Sequence, residues 1–93
     1  MRKCIKIKVV GKVQGEGYKT LAQKTAQTLG IEGTLQNLET SGVMIHACGI
    51  SDNLEKFIDT LYRGVGKNDV QDLSTEPFVN ERDYRGVFRI IGD

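Results

Sequence analysis

Hydrophobic and polar residues alternate near the start of the chain. Ile5, Ile7 and Val9 are separated by Lys6 and Lys8. Such an alternation is typical of a β-strand that buries one face and exposes the other to solvent. The sequence therefore predicts a first strand with apolar side chains in the core and lysines on the open face.

Two later segments have helical periodicity. The first follows the glycine-containing stretch 11–20 and ends before Gly30, and the second ends before Gly64. Glycine is a natural stop at the C-terminus of a helix. Asp52 and Glu55 have the spacing of a capping box at the start of the second helix. The residues predicted to face the core are Leu21, Ala22, Thr25, Ala26 and Leu29 in the first helix, and Leu54, Phe57, Ile58, Leu61 and Tyr62 in the second.

Four further segments have strand patterns. They cover residues 31–38, 42–49, 69–76 and 86–91, and the short stretch 39–42 predicts a hairpin between the first two. The element order is β-α-β-β-α-β with one more strand at the end. This order predicts an α+β, ferredoxin-like split βαβ fold, with an antiparallel sheet and two helices on one of its faces. The length predicts a single domain over 1–93.

Composition narrows the class of protein. The net charge is +1 and 39% of the residues are hydrophobic, which favours neither disorder nor a polyanionic partner. No apolar run approaches the ~20 residues of a membrane span, and the alternating lysines interrupt any signal-peptide-like stretch. One histidine and two cysteines do not have metal-ligand spacing. We therefore expect a cytoplasmic monomer with no metal, cofactor or membrane partner.

The two cysteines are expected to be neighbours. Cys4 has the parity of Lys6 and Lys8, and Cys48 has the parity of His46 on the third strand. The start of the first strand and the end of the third meet at one edge of the predicted sheet. Cross-strand partners are close enough to form a disulfide in an oxidised sample, whereas the cytosol favours the thiol pair.

The stretch "GKVQGEGYKT" at 11–20 predicts an anion site. In a split βαβ unit the ends of the first and second strands lie at the same edge, so this loop, the start of the first helix and Asn37 should meet there. Asn37 has the strand parity of Gly33 and Leu35, which predicts that it points to the helix-covered face. Backbone N–H groups and the helix dipole favour an anion at that spot, beside Lys19. The glycines fit neither a dinucleotide fingerprint nor a Walker loop. The alternative interpretation is a plain turn, with Lys19 a solvated surface charge.

Two motifs carry a resemblance to a known family. "GKVQGEGYK" resembles the acylphosphatase signature G-x-V-Q-G-V-G-[FY]-R, and "LGIEGTLQNLETSGVMIHACG" resembles the second signature of that family. The resemblance implies a ferredoxin-like fold and metal-independent hydrolysis of the carboxyl-phosphate bond in acylphosphates. It also implies that Asn37 positions the attacking water and that Lys19 occupies the position of the phosphate-binding arginine. The residues that it assigns to the phosphate cradle are Gln14, Gly15, Glu16, Gly17, Tyr18 and Lys19.

The chain departs from the signature at two positions of the cradle. Lys19 replaces an arginine, and a lysine is a point charge where an arginine offers a planar fork to two phosphate oxygens. Glu16 replaces an apolar residue. Its carboxylate either faces the cradle, where it repels phosphate and pairs with Lys19, or faces solvent. We therefore expect a weakened activity.

Three functions remain open at this point. The first is an acylphosphatase-type hydrolase acting on a small acylphosphate, and the second is an anion-binding or regulatory module that binds phosphate without turnover. The third is nucleic-acid binding, which requires exposed aromatic side chains and a basic surface. The predicted outward positions contain no aromatic residue, so no nucleic-acid partner is expected. These positions are Lys6, Lys8, Met44, His46 and Arg89.

Overall fold

The computed structural model describes residues 2–39, 41–64, 70–79 and 83–92. Residue 40 of the predicted hairpin and residue 69 of a predicted strand lie outside these ranges. The strands and helices largely follow the sequence prediction. In chain order they are β1 (Arg2–Gly11), α1 (Glu16–Thr28), β2 (Glu32–Asn37), β3 (Val43–Ile50), α2 (Ser51–Arg63), β4 (Val70–Pro77) and β5 (Phe88–Ile91).

The strand order in the sheet is β4-β1-β3-β2-β5. β3 lies between β1 and β2 and is antiparallel to both, so β1 and β2 run in the same direction, as a split βαβ unit requires. The α+β, ferredoxin-like fold class is confirmed. The expectation of a purely antiparallel sheet is wrong, because β5 pairs in parallel with β2.

The direction of β5 follows from where β4 ends. β4 is antiparallel to β1, so it finishes at the end of the sheet from which β1 and β2 start. The chain then reaches the far side of the sheet, and β5 begins at that same end. A strand that starts at this end of the sheet must be parallel to β2. The periodicity of its four residues carries no information about its direction.

The core fills the space between the sheet and the two helices. Ile5, Ile7 and Val9 of β1 are buried in it, as predicted. Phe57 of α2 and Phe88 of β5 meet edge to face, with ring centroids 5.7 Å apart. Other fully buried members are Val13, Ala22, Ala26, Leu35, Val43, Ile45, Ala47 and Leu61.

The helices differ from prediction in detail. α2 begins at Ser51, directly after β3, so Asp52 lies inside the first turn and the predicted capping box is not formed; no side chain caps this helix. Tyr62 is 64% exposed, so its placement in the core was wrong. In α1 the buried face starts earlier than predicted, at Tyr18 and Lys19. Both described helices have 13 residues, and neither is long and apolar enough to cross a membrane.

Cys4 and Cys48 are direct partners in the register of β1 and β3. Their sulfur atoms form a disulfide, and their Cα atoms are 4.1 Å apart. Cys48 is fully buried. The bond joins the start of β1 to the end of β3. It therefore lies at the opposite end of these strands from the loop 12–15.

Candidate active site

The predicted site lies where β1 ends. Val9, Val43 and Asn37 form one row across β1, β3 and β2, so Asn37 is two strand spacings of about 4.8 Å from β1. β1 ends at Gly11, and α1 begins at Glu16. The connecting loop therefore starts at the edge of the sheet that carries Asn37.

Gln14 joins this loop to the hairpin between β2 and β3. Its side-chain Nε2 donates to the carbonyl oxygens of Leu38, at 2.8 Å, and of Gly42, at 2.9 Å. The Leu38 N–H also donates to the Gly42 carbonyl, at 3.0 Å. Leu38 directly follows Asn37 in the chain, so the loop and the Asn37 region are in direct contact.

The N-terminus of α1 offers backbone donors. Gly15 is the N-cap residue and no side chain caps the helix. The first hydrogen bond of the helix is donated by the Lys19 N–H to the Gly15 carbonyl, at 3.2 Å. The N–H groups of Glu16, Gly17 and Tyr18 come before it and have no acceptor within the helix. Together with the helix dipole they form a local environment that favours an anion.

The two glycines of this turn are not required by the fold. Gly15 has φ −76° and ψ 161°, and Gly17 has no positive φ either, so other residues could adopt both conformations. A Cβ built at either position would meet nothing within 4 Å. Glycine in a helix costs about 1 kcal/mol relative to alanine. Neither backbone conformation nor packing explains the two glycines, and without side chains they leave the surface of this turn open.

Lys19 is buried, with 4% of its surface exposed. The interpretation of Lys19 as a solvated surface charge is therefore wrong. Long side chains on a helix lean towards its N-terminus, so we expect the Lys19 side chain to extend towards the first turn of α1. Lysine is seldom buried without interactions, and Lys19 does interact within the protein.

The Tyr18 side chain packs in the core. It is 3% exposed, and the hydroxyl donates to the Leu61 carbonyl in α2, at 2.8 Å. The ring thus points into the core and fixes the first turn of α1 against α2.

Asn37 faces the helix layer. It has the strand parity of Gly33 and Leu35, and Leu35 is fully buried in the core. Asn37 itself is half-buried, and its Oδ1 atom is buried. Strand parity alone had predicted this orientation.

Glu16 is exposed to solvent in the first turn of α1. The ion pairs found among the described residues join Arg2 to Glu32 and Lys6 to Glu76, and neither includes Glu16. A carboxylate in the first turn of a helix is favoured by the dipole. The exposed position of Glu16 agrees with the solvent-facing alternative and limits its repulsion of an anion to a screened interaction.

Sequence reasoning missed aromatic residues on the open face of the sheet. Phe78 contacts His46 edge to face, with ring centroids 5.2 Å apart, and Tyr84 lines a groove of about 400 Å³ together with Thr34 and Arg89. The predicted outward positions themselves carry no aromatic residue; Phe78 and Tyr84 lie outside the strands and are half-buried. Phe78 shares the parity of Glu76, and extending the alternation past Pro77 would have revealed it.

The fold is an α+β domain with backbone N–H donors at the N-terminus of its first helix. Comparison with known proteins gives the family. The acylphosphatase family model matches residues 5–90. The acylphosphatase of Clostridium acetobutylicum is 36% identical over 85 residues, which cover 88% of this chain and 93% of that protein. The chain therefore belongs to the acylphosphatase family and is an acylphosphatase-like hydrolase.

Solved structures agree with this assignment. The acylphosphatase from Coxiella burnetii superposes with a TM-score of 0.84 at 30% identity, covering 97% of this chain and 93% of that one. The acylphosphatase from Bacillus subtilis superposes with a TM-score of 0.86 at 26% identity, covering 99% of this chain and all 100% of that one. The similarity thus extends over nearly the whole length of both relatives.

Proposed function

We propose that this protein hydrolyses the carboxyl-phosphate bond of small acylphosphates, with a turnover that is weakened by Lys19. The observation that carries the proposal is the open, glycine-lined N-terminus of α1 beside a buried lysine. Neither backbone conformation nor packing requires the two glycines, whereas a bound phosphate would use the open helix N-terminus and the lysine charge. The proposal includes a cytoplasmic monomer that acts without metal, cofactor, nucleic acid or membrane.

The proposed cradle acts on the phosphoryl group. The N–H groups of residues 16–18 and the ammonium of Lys19 bind the equatorial oxygens, where charge is concentrated during phosphoryl transfer. Fixed donors of this kind lower the barrier because they need no rearrangement during the reaction. An acylphosphate is already activated, so binding and placement account for most of the catalysis.

Asn37 supplies the second half of the reaction by orienting a water molecule. The water oxygen forms a bond to phosphorus while the bond between phosphorus and the acyl oxygen breaks. The electron pair of the broken bond leaves with the carboxylate, and both water protons remain on the phosphate product. A carboxylate is a good leaving group, so the site needs no strong general acid.

Lys19 reduces the expected rate. An arginine at this position would bind two phosphate oxygens at once, whereas a lysine binds as a point charge. Losing one such donor typically lowers kcat by ~10²- to 10³-fold. The same substitution favours a second candidate function, an anion-binding or regulatory module that holds phosphate without turnover.

Hydrolysis of benzoyl phosphate by purified wild-type and variant proteins tests the proposal. We expect Asn37→Ala to abolish turnover while the inhibition constant for phosphate stays nearly unchanged, because the proposed partner of Asn37 is the water. Asn53→Ala is the matched control, since the Asn53 side chain donates to the Leu29 carbonyl, at 3.0 Å, away from the site. Wild-type turnover by Asn37→Ala would contradict the proposed role. Phosphate binding by a wild-type protein that has no turnover would establish the binding module instead.

A further inference from the structure

We infer that Gln14 is a positioning residue that sets the distance between the phosphate cradle and Asn37. This inference rests on the proposed function. We call the two hydrogen bonds from its Nε2 to the carbonyls of Leu38 and Gly42 the Gln14 bridge. The bridge crosses 24 and 28 residues of sequence, and it connects the two parts of the site that the proposed reaction must align.

The bridge uses both donors of the side chain. A glutamine amide has two N–H donors on Nε2, and the two acceptors lie 2.8 Å and 2.9 Å away. The remaining polar atom, Oε1, is an acceptor and cannot bind phosphate oxygens. The Gln14 side chain therefore acts on the hairpin and not on the phosphate, in contrast to its assignment as a cradle residue by resemblance.

The base of the hairpin is held from two sides. The Gly42 carbonyl accepts from both the Leu38 N–H and Gln14. On the other side Gly42 packs closely against β1: a Cβ at this position would lie 2.3 Å from the Val9 carbonyl oxygen. Its φ of +94° is also one that glycine adopts more readily than other residues. The hairpin base is thus packed against β1, and the Gln14 bridge holds it against the loop.

Both ends of the Gln14 bridge are adjacent in sequence to residues of the proposed site. Gln14 immediately precedes Gly15, the N-cap of α1, and Leu38 immediately follows Asn37. Only one peptide unit separates each end of the bridge from a part of the site. A misplacement of about 1 Å between reacting groups lowers turnover on the order of 10²-fold, so losing the bridge should affect kcat and leave phosphate binding to the cradle.

The test compares Gln14→Met with Gln23→Met. Methionine keeps the length of the side chain but has no N–H donor. Gln23 is the matched control, because it is also half-buried and its Nε2 donates to a backbone carbonyl, that of Phe88, at 3.0 Å. We expect Gln14→Met to lower kcat for benzoyl phosphate on the order of 10²-fold, with little change in the phosphate inhibition constant. Gln23→Met should keep wild-type kcat.

A second readout does not depend on turnover. The Leu38 N–H, which donates to Gly42, should exchange with deuterium faster in Gln14→Met than in Gln23→Met. If Gln14→Met does not fold, Gln14→Ala and Gln23→Ala replace the pair. Equal exchange rates of Leu38 in the two variants would overturn the inference. A kcat of Gln14→Met that falls no further than that of Gln23→Met would also overturn it. The same holds if the phosphate inhibition constant of Gln14→Met rises by as large a factor as its kcat falls.

The two failures can be distinguished. A wild-type protein without turnover overturns the proposed function, whereas the exchange of the Leu38 N–H still decides whether Gln14 fixes the hairpin. A wild-type protein with turnover, and with identical kinetics and exchange in both variants, overturns the role of Gln14 alone. Faster exchange of the Leu38 N–H in Gln14→Met, together with a loss of kcat in that variant alone, supports both the proposed function and the role of Gln14.

Discussion

Lys19 stands where the acylphosphatase signature has its phosphate-binding arginine. We predict that Lys19→Arg raises kcat/KM for benzoyl phosphate by about 10²-fold, because it restores a fork that binds two phosphate oxygens. Lys19 is 4% exposed, so thermal unfolding of the variant shows whether the larger side chain fits. Lys12→Arg is the control, since Lys12 is exposed at the start of the loop 12–15. No gain in a folded Lys19→Arg protein would contradict the role assigned to Lys19.

At the scale of single residues, the sequence predicted on which face of the sheet a side chain lies better than it predicted the burial and hydrogen bonds of that side chain. Strand parity placed Asn37 on the helix face because every second residue of a strand points the same way. It could not show that Lys19 is buried, because the tilt of α1 on the sheet decides which residues of its first turn are covered. It also could not show that both donors of Gln14 are used by the hairpin, since that contact spans 24 residues of sequence or more.

At the scale of elements, Gly17 makes the first turn of α1 less stable than an alanine would, although the space for a Cβ is open. We predict that Gly17→Ala raises the free energy of unfolding by about 0.5 to 1 kcal/mol, because alanine is the better helix former and its Cβ meets nothing within 4 Å. We also expect the added methyl group to crowd an anion bound at this turn, so the phosphate inhibition constant should rise. Urea unfolding and phosphate competition measure the two effects.

The control for this element is Gln27→Ala. Gln27 is exposed near the other end of α1, so alanine there tests the gain in stability without reaching the cradle. A Gly17→Ala protein that gains stability and binds phosphate as tightly as the wild type would show that Gly17 does not serve an anion.

At the scale of the whole molecule, the site and the disulfide lie at opposite edges of the sheet. Val9 is five residues after Cys4 along β1, a distance of about 17 Å in a strand. The disulfide closes a sequence separation of 44 residues, which stabilises the fold by about 4 kcal/mol in the chain-entropy model. We predict that reduction lowers the free energy of unfolding by up to about this amount and leaves kcat unchanged.

Urea unfolding of the wild-type protein with and without reductant measures this effect. The Cys4→Ser, Cys48→Ser double variant is the control, and its stability should not respond to reductant. A loss of turnover on reduction, at a urea concentration where the protein stays folded, would contradict the separation of the disulfide from the site.

The overall architecture was predictable for a physical reason. The alternation of Ile5, Ile7 and Val9 and the spacing of Leu54, Phe57 and Leu61 reflect burial on one face, which local sequence records directly. The direction of β5 and the start of α2 depend on how the chain travels between elements. That path is set by contacts between distant residues, so the parallel pairing of β5 with β2 required the structure.

The measurement that tests the central claim most directly is a titration of the wild-type protein with inorganic phosphate, followed by backbone amide chemical shifts. The claim is that the N-terminus of α1 is the phosphate cradle. It predicts saturable shifts that are largest at residues 15–19, with a smaller response at Asn37 and none at the Cys4 edge of the sheet. Shifts confined to other regions, or no shifts at millimolar phosphate, would contradict it.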